Sequence, residues 1–506
     1  MEIGSIEKYL ALAATEATTA DLDHVPPLIV YRCLSAPTGR QALVDSARAA
    51  ILAQTPGSAE ALAMPRRTFG ARPIEILSPT SRTVLTAAVR ALEPALVPPS
   101  RVSGAWRTHR AFGLTGSHSH VVELDFASCY ELIHHSDLRT ELLLRSFDTS
   151  TVDALTRLLS GLGHRGRGLP QMLGPSDHLA DTYLSVLDRR FARTGYQSNR
   201  FADDVRVLAS SWEEANDIID DAAEGGRSLG LVLSAAKTTV WLRESLCAHE
   251  SEESDVLGEF VSAVSTDLAE WIEIHSGPYG AVEDRSEAAP GDAIVTAYWE
   301  LLHQWHSTFV QGRPAASRRL SQLGRHVVAA LSALADYPEG LGEQLIDDLL
   351  FDDPTRFEPV ARYVLARHQQ GQKVEARAML GRLVSTSRQG PWAKLWSLHL
   401  AESFGTTPRA IPAKAREWVH DQVGDAHEVV RAQAAWVLAR RGELTSDVLK
   451  DAYPRATEVS APAIAAAVAR QQATSREVPH VRLEEKLVNA IRDDGRLNQE
   501  AFKWGS

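Results

Sequence analysis

A change of pattern along the chain is the sequence feature that most constrains its fold. Between residues 63 and 245, short apolar runs with strand character alternate with helical stretches. The strand-like runs are 121–124 and 205–208, and the helical stretches are 138–144, 178–191 and 213–229. From about residue 292 onward, nearly all of the sequence has the spacing of helices. We therefore expect an α/β or α+β core followed by an all-α region.

These patterns divide the chain into four predicted segments. Residues 1–62 are expected to form a helical extension, interrupted at prolines. Residues 63–245 are expected to hold the mixed core, and residues 246–292 an acidic linker that bears serine and glycine. Residues 293–506 complete the chain as a helical domain.

One clear helix is predicted over residues 429–441 of the helical domain. Its apolar side chains share one face and its polar side chains lie mostly on the other: Val430, Ala434, Val437 and Leu438 against Arg431, Gln433, Arg440 and Arg441. Ala-rich helix pairs with short turns are typical of an α-solenoid of HEAT-like repeats. No strict period is present, so an irregular helical bundle is the alternative.

The charge distribution argues against a protein that is basic over its whole surface. The net charge is −12, yet residues 65–110 carry eight arginines against only Glu75 and Glu93. This basic segment predicts a local phosphate-binding surface. A solvated face of scattered arginines is the alternative.

Cysteine usage and hydropathy bear on location. The three cysteines, Cys33, Cys129 and Cys247, have no CxxC spacing, which favours a reducing cytosol. The abundance of Ala, Arg and Leu over Lys is typical of a bacterial protein. No apolar run reaches the about 18 residues that a membrane span needs. A bacterial cytoplasmic protein with no membrane contact is expected.

Two short segments place carboxylates beside apolar strands. Asp203 and Asp204 lie between β-type flanks, so the segment 200–208 can form a hairpin with the Asp pair at its turn. Asp125 ends the apolar run 121–124, and an aspartate at the end of a buried strand is costly unless it binds something. Taken singly, the pair could be a solvated turn and Asp125 a helix N-cap.

Together, these carboxylates predict a metal site. Three carboxylates at the ends of neighbouring strands could hold two Mg²⁺ ions, with Mn²⁺ as an alternative. Two such ions can activate a 3′-hydroxyl and stabilise a leaving pyrophosphate. Phosphoryl transfer depends mainly on positioning and charge stabilisation, so few residues need to be invariant in type.

Ordered blocks around the aspartates resemble the palm motifs of reverse transcriptases. The resemblance covers roughly residues 65–245 and is carried by four blocks. The first is the strand ending in Asp125, and the second is Gly168-Leu169-Pro170-Gln171 with Ser176, Leu179-Ala180, Tyr183-Leu184 and Asp188. The third is Phe201-Ala202-Asp203-Asp204, and the fourth is Leu229-Gly230-Leu231 with Lys237-Thr238. Residues 76–82 are similar, less closely, to the first fingers motif. In one departure, Met172 follows Gln171 where the family usually has glycine.

The resemblance implies roles for individual residues. Asp125, Asp203 and Asp204 would be the metal ligands. Lys237 would lie near the triphosphate, where an ammonium can neutralise charge or protonate pyrophosphate. Tyr130 matches the family's steric gate, a bulky ring that crowds a ribose 2′-hydroxyl and favours dNTPs. A core aromatic and a solvated lysine are the alternatives for Tyr130 and Lys237.

The resemblance also implies nucleotide-binding roles for four further residues. Gln171 would contact the incoming nucleotide or the template, and Arg72 and Arg82 would contact the triphosphate or the template. Phe126 completes the set. The implied fold is a right-hand polymerase of α+β class, with fingers and a ferredoxin-like palm, followed by the all-α HEAT-like domain.

The helical half narrows the resemblance to one branch. A palm followed by HEAT-like repeats resembles the bacterial abortive-infection and defence-associated reverse transcriptases of the unknown groups. This implies an RNA-directed or template-independent DNA polymerase in antiphage defence. Its partners would be dNTPs, an RNA template or associated non-coding RNA, and a DNA product that is protein-linked in some members; several members form oligomers. The alternatives are an inactive palm that serves as an RNA-binding or oligomerisation scaffold, and a retron-like or maturase-like enzyme.

Overall fold

A computed structural model describes the chain over residues 4–67, 70–163, 165–258, 292–312, 317–386, 389–445, 455–471 and 485–498. Most of the predicted linker, residues 259–291, lies outside the described residues. Its first part, 246–258, belongs to a helix that begins at Arg243. No helix in the described part of the chain is both long and apolar enough to cross a membrane.

The strands pair in two antiparallel sheets. The strands are β1 (Ala59–Pro65), β2 (Ala71–Leu77), β3 (His120–Asp125), β4 (Ser198–Phe201), β5 (Asp204–Ala209) and β6 (Thr239–Leu242). Strands β1 and β2 form a hairpin, and the other four form a sheet in the order β4-β5-β3-β6. The predicted strand-like runs 121–124 and 205–208 lie in β3 and β5. Residues 59–62, expected to be helical, instead belong to β1.

Helices make up most of the remaining described chain. Up to residue 258 they are α1 (Leu10–Thr19), α2 (Ile29–Arg32), α3 (Pro37–Leu52), α4 (Pro79–Leu92), α5 (Ala105–Ala111), α6 (Cys129–Leu132), α7 (His135–Ser146), α8 (Thr149–Leu162), α9 (Gly174–Thr194), α10 (Trp212–Ser228) and α11 (Arg243–Gly258). Short 3-10 helices lie at Gly4–Tyr9 and Glu93–Ala95. The three helical stretches predicted between residues 138 and 229 lie in α7, α9 and α10.

After residue 291, the described residues form helices joined by turns and loops, with no strand among them. Its helices are α12 (Asp292–Gln311), α13 (Ser317–Gly324), α14 (Val327–Ala333), α15 (Glu343–Asp352), α16 (Phe357–Gln369), α17 (Lys373–Leu383), α18 (Pro391–Ser403), α19 (Ala413–Gln422), α20 (Glu428–Arg441), α21 (Ala461–Arg470) and α22 (Glu485–Arg492). Consecutive helices pack together, as α16 does on α17 and α19 on α20. The prediction of a helix-rich C-terminal region is confirmed, and its assignment to HEAT-like repeats stays a prediction.

The predicted helix 429–441 is present as α20, but its polar face is not solvated. Arg431 and Gln433 are both buried. Gln433 donates to Glu402 at 3.0 Å and accepts from the backbone N–H of Ile29 at 3.2 Å. The amphipathic pattern therefore did not indicate that these polar side chains are buried. Buried hydrogen-bond partners satisfy side chains that would otherwise face water.

The chain packs as two compact units. One comprises Met1–Leu96, Leu142–Ser176 and Asp353–Ser506, and the other Val97–Glu141 and Asp177–Asp352. The first contains the β1–β2 hairpin, the N-terminal helices and the helices from α16 onward. The second contains the four-stranded sheet. The segment 63–245 is thus shared between the two units.

Candidate active site

Strand pairing brings the predicted carboxylates together at one end of the four-stranded sheet. In the antiparallel register of β3 and β5, Asp125 lies directly opposite Asp204. Side chains on opposed residues of antiparallel strands have Cβ atoms about 5 Å apart. Asp203 precedes Asp204 in the turn that joins β4 to β5. The expected hairpin with the Asp pair at its turn is therefore present, and Asp125 lies on the neighbouring strand.

The turn before Asp203 is held in an uncommon backbone conformation. Ala202 has φ +55°, a region that residues with a side chain seldom occupy. Its N–H donates to Ser100 Oγ at 2.8 Å, and its carbonyl accepts from Arg200 Nη1 at 2.9 Å. Because both backbone groups of Ala202 have fixed partners, the turn presents Asp203 in a defined position.

Arg200 is the main support of this turn. Its side chain is 8% exposed and pairs with Asp188 at 2.8 Å and with Asp181. Asp181 also accepts from the backbone N–H of Ser100 at 2.8 Å and from its hydroxyl at 2.9 Å. The hydrogen bonds of Arg200 and Ser100 thus join α9 to the hairpin that carries Asp203.

Burial and mutual repulsion perturb the carboxylates. Burial, the charge of Asp203 and the charge of Asp125 raise the pKa of Asp204 to about 7. Burial and the charge of Asp125 also raise the pKa of Asp203, against the lowering effect of Arg101. Asp125 itself is only 5% exposed. A buried site in which the ionisation of Asp203 and Asp204 is opposed in this way favours the arrival of positive charge.

Lys237 supplies part of that positive charge. Its Nζ donates to Asp125 Oδ1 at 2.7 Å, while the side chain as a whole remains 64% exposed. Burial alone would lower the pKa of Lys237, but the bond to Asp125 and the charges of the three aspartates raise it. A backbone bond from Ser234 N to Asp125 O at 2.8 Å fixes the segment that carries the lysine. Lys237 therefore contacts one of the three carboxylates, and its place near the triphosphate stays a prediction.

The donor set fits divalent cations that prefer oxygen. Among the described residues, no three His, Cys, Asp or Glu side chains are arranged as a ready-made metal site. Mg²⁺, however, is usually bound by one or two carboxylates together with substrate phosphates and water, and not by a complete protein cage. The clustered carboxylates of Asp125, Asp203 and Asp204 are consistent with such an incomplete site, and burial and repulsion raise the pKa values of the last two.

The two aromatic residues after Asp125 have different surroundings. Phe126 is 1% exposed, and a Cβ added to Gly226 would lie 2.6 Å from its ring, so its side chain belongs to the core below the sheet end. Tyr130, in α6, is only partly buried, and its hydroxyl donates to Asp177 at 2.5 Å. The steric-gate and nucleotide-binding roles of these residues stay predictions.

The other predicted nucleotide-binding residues lie in the first unit. Arg82 is buried and donates to the carbonyls of Ala17 at 3.1 Å and Ala20 at 3.0 Å, so here its guanidinium holds the end of α1. Arg72 is a partly buried residue of β2. The contacts of Arg82 and Arg72 with the triphosphate or the template stay predictions.

The departure at Met172 has a structural counterpart. Met172 has φ +63°, a left-handed conformation that glycine adopts at little cost. Gln171 before it is 8% exposed, and its backbone N–H donates to Glu75 at 3.1 Å. The backbone therefore keeps the shape that a glycine would permit, although methionine occupies the position. The contact of Gln171 with nucleotide or template stays a prediction.

Three acids that support the site were not predicted to do so from the sequence. Asp177, Asp181 and Asp188 lie on one face of α9, at spacings of four and seven residues. Asp177 binds Tyr130 and Arg101, and Asp181 binds Ser100 and Arg200. Asp188 also binds Arg200. The spacing of these three acids was a usable signal, but their partners lie far away in sequence.

Comparison with known proteins identifies the middle of the chain. Residues 65–261 match the family described as reverse transcriptase (RNA-dependent DNA polymerase). This segment includes β3, β5 and all three clustered aspartates. No curated protein sequence matches the chain.

Solved structures offer a weaker comparison. One that matches is the telomerase from Candida tropicalis in complex with a TWJ fragment of telomeric RNA, at 12% identity and a TM-score of 0.29. The match covers 72% of this chain and 64% of the telomerase chain, so this chain spans less than two thirds of that structure. A similarity at this TM-score supports no inference about fold or function. The similarity to reverse transcriptases therefore rests on the family match over residues 65–261.

Proposed function

We propose that this chain is an RNA-directed DNA polymerase, a nucleotidyltransferase that joins dNTPs by two-metal phosphoryl transfer. The observation that carries the proposal is the register that places Asp125 opposite Asp204, beside Asp203, within the segment that matches the reverse-transcriptase family. The matching substrates are dNTPs and an RNA template, with template-independent synthesis as the alternative mode.

The side chains at the site have complementary parts in this reaction. Asp125, Asp203 and Asp204 would hold Mg²⁺ or Mn²⁺. When bound, the metal ions would favour loss of the proton of the 3′-hydroxyl and offset the charge on the leaving pyrophosphate. Lys237, partly exposed beside Asp125, has an ammonium that can turn toward the triphosphate and neutralise it. The Tyr130 ring would crowd a 2′-hydroxyl and so favour dNTPs over rNTPs.

The test is incorporation of labelled dNTPs by the purified full chain with Mg²⁺, with and without added RNA template. Asp203→Asn and Asp204→Asn should each reduce incorporation at least about 1,000-fold, since each removes a charged ligand from a site that works mainly by charge stabilisation. Asp221→Asn is the matched control, because Asp221 pairs with Arg190 on α9. It should retain activity.

The outcomes of this test are distinct. No incorporation by the unaltered chain, with RNA still bound after purification, would favour an RNA-binding scaffold. Full activity of Asp203→Asn and Asp204→Asn would remove the carboxylates from the mechanism. Incorporation only when RNA is added would support templated synthesis, and incorporation without RNA would support the template-independent mode.

We further propose that the polymerase acts in bacterial antiphage defence, with the helical region after residue 291 as a HEAT-like domain that supports an oligomer or binds an associated RNA. The support is the order of the chain, in which a long helical region follows the reverse-transcriptase segment. Phage plating on cells that express the chain should fall relative to cells that express Asp203→Asn. Equal plating on both would contradict the defence role. Sequencing of co-purifying nucleic acid would distinguish a defined RNA from protein-linked DNA.

A further inference from the structure

The side chain of Tyr130 is anchored by two charged residues. Its hydroxyl donates to Asp177 Oδ1 at 2.5 Å, and the guanidinium carbon of Arg101 lies 5.6 Å from the centre of its ring. Arg101 Nη1 is 3.3 Å from the same Asp177 oxygen. The side chains of Arg101 and Asp177 are 23% and 13% exposed. The three residues thus form a closed, partly buried cluster, which we call the tyrosine anchor.

The tyrosine anchor is itself fixed by α9 and by the hairpin support. Asp177 lies in the first turn of α9, and Asp181, one turn later, binds both the N–H and the hydroxyl of Ser100. Ser100 is the neighbour of Arg101, so one face of α9 positions both ends of the cluster. The Ser100 hydroxyl also accepts from the backbone N–H of Ala202 at 2.8 Å, and Ala202 precedes Asp203, so the tyrosine anchor lies next to the turn that carries the carboxylates.

The phenol has a definite direction of hydrogen bonding. Burial and the negative charge of Asp177 raise the pKa of Tyr130 well above its ordinary value, so the hydroxyl keeps its proton at neutral pH and can only donate to the carboxylate. A hydrogen bond from a neutral donor to an ionised acceptor is stronger than one between neutral groups. The hydrogen bond therefore restrains rotation of the Tyr130 side chain. A phenylalanine at this position would be restrained by packing alone.

We propose that Asp177 and Arg101 are positioning residues that determine sugar specificity, because they hold the Tyr130 ring in the place where it excludes a 2′-hydroxyl. The inference rests on the proposed polymerase function. A steric gate discriminates only if the ring cannot move aside at small cost when a ribonucleotide enters. In this chain the resistance to movement comes from the tyrosine hydroxyl and from its charged partners on α9 and beside Ser100.

The first test compares kcat/KM for the four dNTPs with that for the four rNTPs. Tyr130→Phe keeps the ring and removes the anchored hydroxyl, and Asp177→Ala removes its acceptor. Each should lower the preference for dNTPs about tenfold, mainly through better use of rNTPs. The double variant Tyr130→Phe/Asp177→Ala should lose no more than either single variant, because both remove one interaction. Asp177→Asn, which retains an acceptor oxygen, should fall between Asp177→Ala and the unaltered chain.

Glu141→Gln is the matched control for loss of a carboxylate charge next to α9. Glu141 pairs with Arg189 at 2.8 Å, and Arg189 lies twelve residues, about 18 Å, along α9 from Asp177. Glu141→Gln should leave the sugar preference unchanged. If Asp177→Ala and Tyr130→Phe slow dNTP and rNTP use equally, with the preference intact, the cluster has only a structural role and the inference is wrong.

A second readout separates this inference from the proposed function. Binding of dUTP and UTP, which differ only at the 2′ position, is measured with Mg²⁺ on the same variants by displacement of a fluorescent dUTP analogue. If the unaltered chain incorporates no nucleotide, the polymerase proposal fails, while weaker discrimination between dUTP and UTP in Tyr130→Phe would still support the tyrosine anchor. Equal binding of the two nucleotides by the unaltered chain would overturn the inference, whatever the activity.

Discussion

Replacement of Arg200 by methionine should destabilise the chain strongly. Methionine keeps much of the apolar stem but removes a guanidinium that pairs with Asp181 and Asp188 and holds the carbonyl of Ala202. Loss of one partner of a buried ion pair typically costs about 3–5 kcal/mol, because the remaining charge stays buried without compensation.

The local surroundings place the cost at the lower end of that range. Asp181 is 4% exposed but keeps its bonds from Ser100, at 2.8 and 2.9 Å. Asp188 is 36% exposed and can regain water. We therefore expect Arg200→Met to lower the free energy of unfolding by about 3 kcal/mol. Incorporation of dNTPs should fall as well, because the turn that presents Asp203 loses a support.

The assay is urea denaturation monitored by circular dichroism, with Arg190→Met as the matched control. Arg190 also lies on α9 and pairs with Asp221 at 2.6 Å, but its side chain is 31% exposed. The control should lose less than about 1 kcal/mol, as for exposed ion pairs. If Arg200→Met and Arg190→Met lose the same amount, burial of the Arg200 cluster does not determine its contribution, and the reasoning is refuted.

Three further predictions concern Lys237, two buried histidines and Glu402. Lys237→Met should lower dNTP incorporation about 100-fold with little change in Tm, because the side chain is largely exposed but binds Asp125; unchanged kcat/KM would contradict this. Burial lowers the pKa of His326 and of His399 to about 4, so below pH 6.5 the unfolded chain binds protons that the folded chain does not. Each histidine should therefore cost about 2 kcal/mol of stability at pH 5 relative to pH 8, and His399→Gln should flatten the pH profile measured by urea denaturation. Glu402→Ala should cost about 3 kcal/mol in thermal or urea unfolding, since it removes the acceptor of the buried Gln433 and Trp436 and of the partly buried Arg440; a loss below 1 kcal/mol would show that these donors find other partners.

Local sequence patterns predicted the elements that carry the candidate site. The apolar run before Asp125 and the flanks of Asp203 and Asp204 have strand character, and strands occur there as β3, β4 and β5. Strand propensity and the tight turn are properties of a few consecutive residues, so they can be inferred without knowledge of the fold. The opposition of Asp125 and Asp204 required the register, which depends on packing across the sheet.

Burial of polar side chains could not be inferred from local patterns. Arg82 is buried and its guanidinium donates to the backbone carbonyls of residues 17 and 20, while its contact with nucleotide or template stays a prediction. Arg431 and Gln433 were expected mostly on the face opposite the apolar side chains, and both are buried. A charged or amide side chain can be buried when distant segments supply hydrogen-bond partners, and such partners are not visible in the residues around it.

The sequence alone determined the order of the elements, the chemistry of the carboxylates at Asp125, Asp203 and Asp204, and the resemblance around them, because these depend on residue type and spacing. Only the tertiary structure decided how that chemistry is supported. Arg200 binds Asp181 and Asp188 on α9, and Tyr130 reaches Asp177 across 47 residues of chain. Contacts at such separations depend on the path of the whole backbone, which short-range patterns do not specify.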